Sequence, residues 1–173
     1  MPPVSLFLLL WLRFARYRWS RFRRLFERGE LGKSIDPAAS LQEIEDLLKQ
    51  VTWTPDGPLH LYDSISYPQT TWAKKHDDCD GFAVLAAELL KRWDPTTSSV
   101  LLTVMLRPAR KSHTVCVFQE GTAYRFFDNA RLNPSTYTDY ADLAREVARR
   151  GDTTVCWDIA DPWSLRQLEF HRA

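Results

Sequence analysis

The order of its hydrophobic patterns predicts an α+β fold for this chain. Apolar residues recur at helical spacing through the first half. Runs rich in Val, Thr and Phe fill the second half. A short turn signal, Glu120-Gly121, joins two of those runs as a hairpin, so the strands are antiparallel. The 173 residues suit one core-bearing unit, and 45% apolar with 26% charged residues is an ordinary globular balance. No internal repeat or low-complexity segment is visible.

The first element is a basic arm. From Leu6 to Phe26 nothing breaks a helix, and Phe7, Trp11, Phe14, Phe22 and Phe26 recur among arginines. One helix over residues 5–27 is expected, with Gly29 and Gly32 ending it. Residues 1–35 carry a net +6 and residues 36–173 a net −5, so the chain divides into an arm, 1–35, and a mildly acidic domain, 36–173. Seven arginines between Arg13 and Arg28 look out of place in an apolar core. The aromatic stripe is therefore expected to be covered by something other than its own domain, and loss of residues 1–30 to leave that domain folded.

A second helix follows, opened by the capping box Ser40-Leu-Gln-Glu43, or one turn earlier at Asp36-Pro37, with Leu41, Ile44, Leu47, Leu48 and Val51 as its apolar stripe. Thr54–Pro58 is loop by composition and 59–75 reads as irregular. A third helix begins near Cys79, buries Phe82, Ala83, Ala86, Leu89, Leu90 and Trp93, and stops at Asp94-Pro95. Strands are expected over 99–106, 113–119 and 122–127, a helix over 137–150 ended by Gly151, and a last strand over 153–159. Trp53, Trp72, Trp93, Trp157 and Trp163 are assigned mainly to the core.

The cysteines separate into two kinds. Cys116 and Cys156 lie in apolar strand runs and read as buried small hydrophobes. Cys79 lies in His76-Asp-Asp-Cys-Asp80 at a helix start, where backbone N–H groups and the helix dipole favour a thiolate. His113 opens one strand of the hairpin and Asp128 closes the other, so antiparallel pairing brings them side by side. A helix-start Cys, a strand-start His and a strand-end Asp make a nucleophile, a base and its orienter. Three alternatives compete. Cys79 and His113 can be ordinary structural residues. His76, Asp78, Cys79 and Asp80 can hold a metal, although such a mixed set without a second ligand cluster is unusual for zinc. Asp80 can face the cleft, or cap the helix, which is the favoured role. His60 and His171 carry no signal.

Asp78-Cys79-Asp80-Gly81-Phe82-Ala83, then His113–Val117, then Phe127-Asp128-Asn129, together resemble the transglutaminase-like, papain-fold superfamily, in particular the bacterial transglutaminase-like cysteine peptidases. Tyr67–Trp72 is similar to the segment before the cysteine in that group. The resemblance spans roughly residues 60–130, and Asp77 stands where the pattern often has glycine. It implies a papain-like core with the helix-start cysteine packed on an antiparallel sheet. It also implies catalytic roles for Cys79, His113 and Asp128, and no cofactor or metal. Gln69 and Trp72 are the candidates for the oxyanion site or cleft.

The function expected is thiol acyl transfer on a peptide or amide, with water or an amine as acceptor. The alternative is an assembly protein on a papain-like scaffold, such as a virion component, docked through residues 5–27. For that arm a protein partner or second copy comes first, a membrane surface second, and nucleic acid last. The nine-residue apolar run Val4–Leu12 is too short to span a bilayer. Its charge follows it rather than preceding it, unlike a secretory signal, so a cytoplasmic or peripheral location is expected. Three scattered cysteines exclude a disulfide framework.

Overall fold

A computed structural model describes residues 2–27, 34–55, 64–151 and 153–173. The chain starts with α1 (Pro3–Leu10), a π-helical turn (Trp11–Ala15) and α2 (Arg16–Arg24), which form one continuous helix. Gly29, Gly32 and His60 lie outside the described residues. Next come α3 (Leu41–Leu48), β1 (Thr52–Trp53), α4 (Pro68–Lys74), β2 (His76–Asp77) and α5 (Cys79–Trp93). The second half supplies β3 (Ser99–Arg107), β4 (His113–Glu120), β5 (Ala123–Asp128), β6 (Arg131–Leu132), α6 (Tyr140–Ala148), β7 (Thr153–Ala160) and β8 (Gln167–Arg172). The six strands β3–β8 form one antiparallel sheet in the order β6-β5-β4-β3-β7-β8, so the fold is α+β.

The predicted helix and strand signals are used locally. Ser40 caps α3 by accepting from the Glu43 N–H at 3.1 Å, and Glu43 reaches back to the Ala39 N–H at 2.8 Å. Asp36-Pro37 does not start a helix. Gly121 takes φ +63° at the β4–β5 turn, a conformation that costs glycine little. Several elements differ from expectation, among them the short strands β1, β2 and β6. α4 occupies part of the stretch read as irregular. It opens on Pro68, whose missing N–H costs nothing at the first helical position. The edge strand β8 has no apolar alternation to announce it, since little of it is buried.

Both faces of the sheet are covered. Leu101, Met105, Cys116, Phe118 and Phe127 face α5, whose Phe82–Leu90 segment is buried almost all round. Leu102, Val104, Leu106, Val115, Val117 and Phe126 face α6 through Leu143, Ala144 and Val147. That is why β3 and β4 read as nearly continuous apolar runs.

The N-terminal helix departs most from expectation. It lies against its own domain through Ser5, Leu8, Leu12, Arg16, Tyr17, Ser20 and Arg24, all buried. The last six of these recur mostly at four-residue steps. Such a row drifts around a 3.6-residue helix, and the wider π turn brings it back into phase. Two of the arginines judged out of place in a core, Arg16 and Arg24, are therefore in it, while Arg13, Arg18, Arg21 and Arg23 are exposed. Arg16 is 1% exposed and forms a salt bridge with Asp80, itself 1% exposed. Arg16 also donates to Thr103 Oγ1 at 2.7 Å and to Thr114 Oγ1 at 3.0 Å. Those threonines are register partners across β3 and β4, and Thr103 pairs with Asp158 across β7, so a polar row crosses the sheet beneath the helix. Tyr17 donates to Asp158 Oδ1 at 2.9 Å and Gln167 to Oδ2 at 2.6 Å. Arg24 donates to the carbonyls of Ile65 (3.0 Å), Trp163 (2.8 Å) and Ser66 (2.7 Å), and burial brings its pKa down to about 10. Residue 35 thus marks no break in packing.

Removing one member of a buried ion pair strands the other. Arg16→Met should lower the unfolding free energy by about 3–5 kcal/mol, and adding Asp80→Leu should restore much of it. Deleting residues 2–27 should lower the melting temperature sharply, contrary to the expectation from the charge pattern alone. An unchanged urea midpoint for Arg16→Met would refute the role of the pair.

Burial pushes the Asp158 carboxyl up to about 6, against the opposing hydrogen bond from Gln167, the charge of Arg16 and the hydrogen bond from Tyr17. A raised folded pKa contributes stability below the unfolded value of about 3.9, and this is lost as pH rises through about 6. Asp158→Asn should remove that fall, measured as unfolding free energy against pH. Parallel wild-type and variant curves would contradict the assignment.

Candidate active site

Cys79 is the first residue of α5. Asp78 is the N-cap, accepting from the Asp80 N–H at 3.0 Å. Asp77 accepts from the Asp78 N–H at 3.0 Å and from the Thr71 hydroxyl at 2.6 Å. A Cβ at Gly81 would overlap the Asp77 carboxylate. Asp77, where the resembling pattern often has glycine, is thus accommodated by a glycine one helical turn on. Asp80 does not cap the helix as expected; its carboxylate is turned to Arg16, with Oδ1 3.9 Å from Cys79 Sγ. The acidic surroundings of the cysteine are therefore partly neutralised from the N-terminal helix.

His113 opens β4. The preceding connection is pinned where Ser112 Oγ accepts from the Leu106 N–H at 2.9 Å. Asp128 closes β5, and the register pairs Cys116 with Phe127. His113 Nε2 and Asp128 Oδ1 lie 2.8 Å apart in a hydrogen bond, and Arg150 forms a salt bridge with Asp128 Oδ2. Burial would raise the Asp128 pKa. The His113 hydrogen bond and the charges of His113 and Arg150 outweigh it, so the carboxyl sits below its usual value. Asn129, at φ +50°, turns the chain into β6 directly after Asp128, a conformation asparagine tolerates better than most residues.

Cys79 and His113 line one cavity of about 540 Å³, a size that suits a small ligand or a peptide side chain. Arg16, Asn129, Arg150 and Trp53 also line it, and sequence reasoning assigned none of them to a site. For Arg16 a signal existed: it falls in the row Leu8, Leu12, Arg16, Ser20, Arg24, but its charge led to the opposite face. Trp53, assigned to the core, is about half exposed. Gln69 and Trp72 are not among the cavity-lining residues; Trp72 is buried in the core under Lys75.

Cys116 and Cys156 are buried and no disulfide joins the three cysteines. Burial pushes the Cys116 thiol well up, and burial with the Asp158 charge takes Cys156 to about 12. Asp78, Cys79 and Asp80 offer ligand atoms within 4.8 Å of one another. The Arg16 guanidinium already supplies a cation to Asp80, and Asp78 is engaged as the cap, so this donor set does not fit a metal well. His76 is exposed and not among the three. His171 stacks on Trp157 at 3.9 Å and bonds Glu169 at 3.0 Å.

No protein-family model and no curated protein matches the sequence. A solved structure of a candidate cysteine protease from Cytophaga hutchinsonii is similar, with a TM-score of 0.41 and 18% identity. The match covers 100% of this chain and 64% of that one, so this chain spans less than two thirds of that protein's length. A likeness of that size does not bear on chemistry.

Gly81→Ala should cost about 1–3 kcal/mol by overpacking against Asp77, and Asp77→Gly in the same chain should relieve most of it. Equal melting temperatures for wild type and Gly81→Ala would show that the carboxylate moves aside freely.

Proposed function

We propose that this chain is a thiol acyl-transfer enzyme of the transglutaminase-like, papain-fold superfamily, with Cys79 as nucleophile, His113 as base and Asp128 as orienter. The observation that carries it is the 2.8 Å His113 Nε2–Asp128 Oδ1 bond at the wall of the cavity that Cys79 also lines. With Nε2 held by the carboxylate, Nδ1 is the nitrogen that serves the thiol. Proton transfer from Sγ to Nδ1 gives a thiolate–imidazolium pair, with Asp128 and Arg150 fixing the ring and its charge. The thiolate attacks an amide carbonyl. The imidazolium then gives its proton to the departing amine, leaving an acyl-thioester. Water or a second amine, deprotonated by the same ring, resolves the thioester and returns Cys79. Water makes the chain a peptidase or amidase; an amine makes it a transferase.

The positive end of α5 supports the thiolate, and Arg16 offsets the opposing charge of Asp80. One face of the N-terminal helix is built into the domain and its Arg16 lines the cavity, which supports the enzyme reading.

In the folded chain, iodoacetamide should label Cys79 at least about tenfold faster than Cys116 or Cys156, whose thiols are buried. His113→Ala should abolish that advantage, and Asp128→Asn should reduce it, with circular dichroism unchanged in both. Labelling of all three cysteines at one rate would refute the assignment. Incorporation of a fluorescent alkylamine into a peptide-amide substrate, against release of the free acid, separates transfer from hydrolysis.

A further inference from the structure

The N-terminal helix has two faces, and among the described residues only one is covered. Opposite the buried row, Phe7, Leu10, Phe14, Arg18, Phe22 and Leu25 recur at steps of three and four, with Phe26 beside them. Eight of the eleven exposed large apolar side chains among the described residues lie on this helix and its last turn. Phe14 is 56% exposed and Phe26 77%. Phe22 and Phe26 meet edge to face at 5.4 Å, so part of the stripe is already assembled into a ridge. Arg13, Arg18, Arg21 and Arg23 are exposed along it, and no Asp or Glu occurs in residues 2–26.

We propose that this outward face binds an anionic lipid surface, with the phenylalanines in the headgroup–acyl boundary and the arginines on lipid phosphates. Three observations favour lipid over protein. The face is apolar and cationic without one acidic side chain, the chemistry that adsorbs to negatively charged bilayers. Pairing the helix with that of a second copy would oppose two rows of arginines. The surface is a single ridge about 30 Å long at 1.5 Å per residue, which suits lying along a membrane plane better than forming a broad protein interface. No helix among the described residues is long and apolar enough to cross a membrane, so the helix lies on the surface. Phe7 belongs to this stripe and to the cavity lining, which places the cavity mouth at the lipid-facing edge.

The test is co-sedimentation of the full chain with vesicles of phosphatidylcholine alone and of phosphatidylcholine mixed with phosphatidylglycerol, at low and high salt. Arg18 and Arg23 suit substitution because both are exposed and neither side chain makes a hydrogen bond or salt bridge among the described residues. Binding should require the anionic lipid and weaken with salt. Phe14→Ser/Phe22→Ser/Phe26→Ser should weaken it at least about tenfold, and Arg18→Gln/Arg23→Gln should abolish the lipid-charge preference, with wild-type melting temperatures for both. Three results would overturn the proposal: no sedimentation with either vesicle, equal binding to both, or variants that bind as wild type does. Concentration-dependent oligomers that the phenylalanine substitutions dissolve, without vesicle binding, would instead assign the face to a second copy.

Discussion

A guanidinium inside the core organises this molecule. Arg16 has left water, and a buried cation is tolerated only where an opposite charge and further acceptors meet it. Asp80 supplies the charge, and Thr103 and Thr114 supply the acceptors. Those four residues come from the N-terminal helix, from α5 and from two central strands. Their placement fixes the helix on the sheet, orients the first turn of α5, and sets a cation beside the acidic residues around Cys79. A pair this buried adds little net stability over an apolar contact of the same shape. What it adds is specificity: the helix cannot slide or rotate without stranding a charge.

The candidate site rests on the same frame. Cys79 depends on the helix start that Asp78 caps, and His113 and Asp128 depend on the ends of two strands whose register is set by the core. A second cation, Arg150, completes the cluster from just beyond α6. Near the thiol, Asp80 and Asp128 each have a counter-charge, and Asp78 caps the helix. The aspartates beside the cysteine are thus tied to other groups: Asp80 to Arg16, Asp78 to the helix start and Asp77 to Thr71.

Much of this was legible in the sequence and some was not. α5 and the paired strands were visible because Asp94-Pro95, Glu120-Gly121 and the apolar runs are local signals. The placement of Cys79 at a helix start and of His113 beside Asp128 was visible because the helix start and the hairpin pairing are local signals. The role of Arg16 was hidden because periodicity treats arginine as outward. Only the partners Asp80, Thr103 and Thr114, far away in sequence, reverse that assignment. The polar residues interrupting apolar runs, Thr103 in β3, Thr114 in β4 and Asp158 in β7, were the available clue. They form one row across the sheet, and such a row needs polar partners. Arg150 and β8 carried no local signal, since an exposed arginine and a polar edge strand look like any surface. The π turn was likewise invisible, because it shows only as the re-phasing of a four-residue row.

The central claim is that the N-terminal helix and the candidate site form one cooperative unit through Arg16. Native-state hydrogen exchange tests it most directly, because it gives an opening free energy for each amide. If the claim holds, the amides of Arg16–Arg24 open with the same free energy as those of α5 and β3, and Arg16→Met lowers all three together. Exchange of the helix amides at a much lower opening free energy, with α5 and β3 unaffected by Arg16→Met, would contradict it.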